Sequence, residues 1–151
     1  MNVDVNINSM KVYKANKKGL VNYLLIVFLV LPVVIFLLDT DMFTAKPFIL
    51  LPLFIPTIFV LWMYFDTVYK IENGRLIYRS AFLKGQIEIS TITEITKGET
   101  MWVGIKPALS KEGLIITFNK QDKVYLAPES NDEMISHLLE LNSKIKIVER
   151  K

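Results

Sequence analysis

Two runs of the chain, residues 19–38 and 48–65, are apolar and carry no charged side chain, while from Thr67 onward apolar and polar residues alternate. A 20-residue helix rises about 30 Å, the thickness of a bilayer's hydrocarbon core. The second run lies near the short end of the lengths that span. With the connection 39–47 between them, the pair predicts a transmembrane helical hairpin. A cleaved signal peptide fits less well, because the first run exceeds a usual apolar core and no small-x-small site follows it.

The alternating part predicts strands. Residues 67–72 and 75–79 flank Asn73-Gly74, the strongest short hairpin signal, since both residues tolerate the positive φ of a type I′ turn. Tyr69 and Ile71 would share a face with Leu76 and Tyr78, leaving Lys70, Arg75 and Arg79 to water. A third strand, 86–90, follows a turn at Lys84-Gly85. Residues 91–96 read equally as strand or helical turn, and 97–112 is a long irregular connection. A second hairpin follows, from 114–118 and 123–126. Ser130 and Glu133 form a capping box, after which Met134, Ile135, Leu138, Leu139 and Leu141 line one face of a closing helix. The fold class is therefore a membrane-anchored α+β chain, in which a two-helix transmembrane hairpin precedes an antiparallel β-sheet domain with a C-terminal capping helix. The parts are a basic juxtamembrane segment at 1–18, the hairpin at 19–65 and a cytoplasmic domain at 66–151.

Charge orients the hairpin. Lys11, Lys14, Lys17 and Lys18 precede the first run, and Lys70, Arg75, Arg79 and Lys84 follow the second, whereas the connection holds only Lys46 beside Asp39 and Asp41. The excess predicts both termini in the cytoplasm and the connection outside, in the cell (inner) membrane. Tyr23, Trp62 and Tyr64 suit an interfacial aromatic belt. Pro32, Pro52 and Pro56 permit kinks. With only Asn22 and Thr57 polar besides the aromatic groups, however, the spans offer no ionisable residue for transport. An anchor is the better reading.

The remaining chemistry is sparse. From Asp66 onward 13 Lys/Arg face 12 Asp/Glu, so no basic stripe marks a nucleic-acid partner. The chain has no Cys, which excludes disulfides, thiol catalysis and Cys-ligated metals. His137 is the sole histidine; catalysis would need Ser110 or Asp132 brought to it, and a surface helix position is the plainer reading. Glu88, Glu94 and Glu99 suit a solvated strand face better than an acid/base pair. No phosphate loop, nucleophile elbow or metal-ligand spacing occurs, so neither catalytic, cofactor nor metal residues are assigned. The segment singled out is 105–111, with Lys106, Lys111 and nearby Trp102 as candidate membrane or partner contacts. Facing the bilayer, the two lysines would meet anionic lipid heads. The plainer alternative is that Pro107 and Ser110 only shape the entry to the next strand.

The ordered elements resemble the bacterial pleckstrin-homology-like family of YyaB-like and sublancin-immunity-like proteins. The resemblance rests on YKIENGRLIY at 69–78, ISTITEI at 89–95, PALS at 107–110 leading into GLIITF at 113–118, and LAPE at 126–129. A hairpin preceded by a Lys-rich segment like YKANKK at 13–18 is similar too. It implies a seven-stranded bent sheet capped by a C-terminal helix. It implies no chemistry, and fold alone does not carry function. The turn Glu72-Asn73-Gly74-Arg75 lacks the dense basic cluster with which eukaryotic pleckstrin-homology domains bind phosphoinositides. The expected role is a non-enzymatic interaction module at the cytoplasmic membrane face. Its partners would be the lipid bilayer and another membrane protein or a peptide; the alternative is bacteriocin immunity.

Overall fold

The structure, a computed structural model, describes residues 10–41, 48, 51–101 and 104–150. Its first determinant is the Asn73-Gly74 turn, where φ values of 50° and 71° pair β2 (Val68–Glu72) with β3 (Arg75–Ser80). Tyr69 lies opposite Tyr78 and Ile71 opposite Leu76, all four buried, while Arg75 and Arg79 are exposed. The expected register holds. On β4 (Leu83–Glu88), Gly85 lies opposite Tyr78. A Cβ at Gly85 would collide with the Tyr78 hydroxyl and ring, so a larger residue there would displace that side chain.

β1 (Lys11–Lys14) completes the first sheet, with antiparallel order β1-β2-β3-β4. A second sheet holds β5 (Ile92–Lys97), β6 (Leu114–Phe118) and β7 (Asp122–Leu126) in antiparallel pairs, and β8 (Lys146–Glu149) lies parallel to β5. The sheets meet at one corner. There Asn16 N–H donates to Ala127 O at 2.7 Å and Glu129 N–H to Lys14 O at 3.0 Å. The core lies between them: Ile71 and Leu76 face Ile95, Leu114 and Ile116, and Met134 and Leu138 of the last helix close the end.

Among the described residues the named helices are α1 (Leu20–Leu38), α2 (Leu51–Asp66) and α3 (Asn131–Leu141). The Ser130 side chain caps α3 by accepting from Glu133 N–H at 3.2 Å, and the Glu133 carboxylate pairs with Lys11. α1 and α2 lie side by side and antiparallel. Thr57 donates to Phe28 O midway, and Val21, Val60 and Met63 meet on the core of the sheet domain. Pro32 and Pro56 lie inside helices; Pro52 sits in the first turn of α2, where the missing N–H costs nothing.

The structure departs from the expected boundaries in four places. The sheet domain does not begin at residue 66, because β1 comes from the segment expected to be only juxtamembrane. Just two of its inward side chains, Tyr13 and Ala15, are apolar and buried, too short a pattern to stand out among lysines. The third strand is earlier than 86–90, and a single 3₁₀ turn, Ile89–Thr91, leads into β5. β8 follows the helix that was expected to close the domain, which makes eight strands among the described residues where the resemblance implied seven. Finally, only Leu20–Leu38 is long and apolar enough to cross a membrane among the described residues. α2, at 16 residues, rises about 24 Å.

Candidate functional site

Polar and aromatic contacts join the two regions. Asp66, the last residue of α2, accepts Arg79 of β3 at 2.9 Å. Thr67 Oγ1 donates to Met63 O at 2.6 Å, so the buried 2.8 Å contact with Ser80 is donated by the Ser80 hydroxyl. Phe82, at the β3–β4 turn, stacks on Phe59 of α2 with ring centres 5.6 Å apart. Lys17 lies 4.4 Å over the Tyr64 ring and 5.5 Å from Phe65. Cations and aromatic rings thus collar the domain-side ends of both helices.

Beside this collar runs a groove of about 310 Å³, at the small end of ligand-site volumes. Its helix walls are Leu20, Val21 and Leu24 of α1 with Val60 and Met63 of α2. Across from them the connection between β5 and β6 contributes Ala108 and Leu109, with Thr100, Lys106, Ser110 and Lys111 as the polar part of the lining. Lys106 and Lys111, singled out from sequence, therefore line one groove. Trp102 lies outside the described residues.

Two buried tyrosines hold that connection in place. Tyr69 Oη donates to Pro107 O at 2.7 Å and accepts from Ala127 N–H at 3.2 Å. Tyr125 Oη donates to Ser110 O at 3.0 Å and accepts from Gly113 N–H at 2.8 Å. Burial pushes both phenols up from their ordinary pKa, Tyr69 far up, so both stay neutral donors. Lys106 Nζ lies 5.0 Å from the centre of the Tyr125 ring, a cation–π distance. Sequence reasoning placed Tyr69 on the shared face of the first hairpin, Tyr125 only within a strand of the second, and read the helix walls as membrane span alone. A buried Tyr hydroxyl demands a partner. Which partner is decided by tertiary packing.

The other candidates lie elsewhere. His137 Nδ1 is 2.9 Å from the Tyr13 hydroxyl on β1, whereas Asp132 pairs with Lys97 and Ser110 lines the groove. Burial, then the charge of Lys11, holds the His137 pKa below its ordinary value. Glu88, Glu94 and Glu99 pair with Arg75, Lys146 and Arg150 on the surface. Among the described residues, no three His, Asp or Glu side chains cluster as metal ligands would. The groove is equipped to bind: an apolar trough, two cations and two hydroxyls, with no paired base and nucleophile.

The strands β2 to β7 and the helix that follows them fall within residues 67–142, which match the Bacterial PH domain family. The chain belongs to that family. It is similar to the uncharacterized protein YyaB of Bacillus subtilis (strain 168), at 26% identity over 89 residues, 58% of this chain and 61% of the relative. The match thus spans less than two thirds of that relative's length. No solved structure matches.

Proposed function

We propose that this chain is a non-enzymatic binding module whose PH domain is held at the cytoplasmic membrane face by two spans, 19–38 and 48–65, with both termini inside. One observation carries the reading: of the 19 residues of α1, nearly all apolar, only Val21 is buried. A helix of that length in the core of a soluble protein would be covered by protein, and this one is not. Strand connectivity supports the second span. The chain leaves the domain from β1 and returns to β2, the adjacent strand of the same sheet. A path that starts and ends in one sheet crosses a bilayer an even number of times. If α1 crosses, α2 crosses back, and residues 48–50 lengthen its apolar run to the 18 needed. The eight flanking basic residues favour the domain inside.

Because the chain has no Cys, single-cysteine labelling tests this directly. Thr44→Cys should react with an impermeant maleimide in intact cells, and Lys120→Cys only after lysis. The reverse pattern overturns the orientation; labelling of both in intact cells overturns the paired spans. The immunity role rests on the family resemblance, and unchanged sensitivity of expressing cells across a panel of membrane-active peptides would remove it.

A further inference from the structure

We infer that the groove between the helix ends and the connection residues Thr100 and 106–111 seats one anionic phospholipid of the inner leaflet. The acyl chain would lie along Leu24, Val60 and Met63, with the phosphate between Lys106 and Lys111. The inference rests on the proposed spans and goes beyond them, since an anchor needs only nonspecific lipid around it.

Position makes the first argument. Leu24 lies five residues inside the start of the first run, about 7 Å along the helix axis, and it shares the groove lining with Lys106 and Lys111. With the proposed spans, one groove thus joins a residue at acyl-chain depth to two lysines of the domain, as a lipid at the edge of its leaflet requires. Chemistry makes the second. Its helix walls are wholly apolar and the facing connection brings Lys106 and Lys111 into the same lining, the pairing of apolar surface and positive charge that an anionic lipid matches. Rigidity makes the third. Both Lys-bearing turns hang from buried tyrosine hydroxyls through Pro107 and Ser110, so the lysines stand on a preformed scaffold. The site is distinct from the first hairpin turn, where Arg75 pairs with Glu88.

The test uses the full chain in nanodiscs of zwitterionic lipid doped with photoactivatable phosphatidylglycerol or photoactivatable phosphatidylcholine, with crosslinks mapped by mass spectrometry. Label from the glycerol lipid should concentrate on residues 20–24, 60–63 and 106–111 over the rest of the helices. Lys106→Gln with Lys111→Gln keeps most of each side-chain stem and should reduce that enrichment by about 30-fold, roughly fivefold per charge. Leu24→Trp, filling the trough without touching the charges, should also abolish it. Equal groove labelling by both lipids overturns anionic selectivity. Even labelling along α1 and α2 without groove enrichment overturns the site, leaves the anchor standing and assigns the groove to a polypeptide. Helices that take no label overturn the anchor itself and the site with it.

Discussion

Leucine, isoleucine, valine and phenylalanine fill both α1 and the facing surfaces of the two sheets, yet they meet opposite surroundings. Leu76 and Ile116 are wholly enclosed, whereas Leu29 and Val30, midway along α1, are about half exposed. The sheets satisfy their apolar faces against each other and α3, so that region folds onto itself. The helices touch along one narrow seam and leave most of the α1 circumference exposed. Intramembrane backbone must satisfy its own hydrogen bonds, and helices alone do so within one segment. At the joint between the regions apolar wall and charge lie side by side, with Lys106 and Lys111 in the groove lining.

The largest expected effect breaks the contrast from the helical side. Val30→Asp with Val33→Asp puts two charges near the middle of α1, at about 3 kcal/mol each for insertion. The doubly substituted chain should lose its resistance to alkaline carbonate extraction of membranes. Val12→Asp, on the exposed outer face of β1, should leave extraction unchanged and alter stability by less than about 0.5 kcal/mol. Retention of the double variant in membranes would show that α1 is not the anchor.

The next effect comes from the sheet side. Leu76→Ala removes a fully enclosed side chain and should cost about 2–5 kcal/mol in domain unfolding, while Leu29→Ala should barely register. Tyr69→Phe keeps the ring but strands Pro107 O and Ala127 N–H, about 1–3 kcal/mol. It should also raise hydrogen exchange across 106–111, which a purely volumetric role for Tyr69 would not do. Denaturant unfolding of the detergent-solubilised chain, with exchange mass spectrometry, measures both.

Legibility followed the range of the interactions involved. The Asn73-Gly74 turn, the β2–β3 register and the Ser130 cap depend on residues within a few positions, and the sequence read them. β1 escaped because its partner lies more than fifty residues away and it buries only Tyr13, with Ala15 just beyond its end. β8 escaped for a similar reason: its parallel pairing with β5 leaves no turn signal, and Ile147 and Val148 are only half-buried. Lys106 and Lys111 were legible as charges in an irregular segment. That they face Val21 and Met63 was not, because the two tyrosine hydroxyls that set their position act across the fold.

The smallest effect probes the seam, where the strand preceding the helices is held to α3. His137 faces the Tyr13 hydroxyl of β1 at 2.9 Å; Lys11, Glu133 and Glu140 are the charges around it. Burial and Lys11 lower its pKa in the folded chain, against the opposing pull of the two glutamates. Between the folded value and the ordinary value near 6.5, the unfolded chain binds more protons. Stability from this residue is therefore complete above about pH 6.5 and declines as the pH falls through the folded value. Thermal melting of the full chain between pH 8 and 5 should show a shallow acid loss, reduced in His137→Gln. Tyr13→Phe breaks the bond while leaving the histidine buried beside Lys11, so it should lower stability at every pH and keep most of the slope. Parallel melting curves for the wild type and His137→Gln would mean that the acid loss comes from carboxylates, and that the seam is held by packing and strand pairing alone.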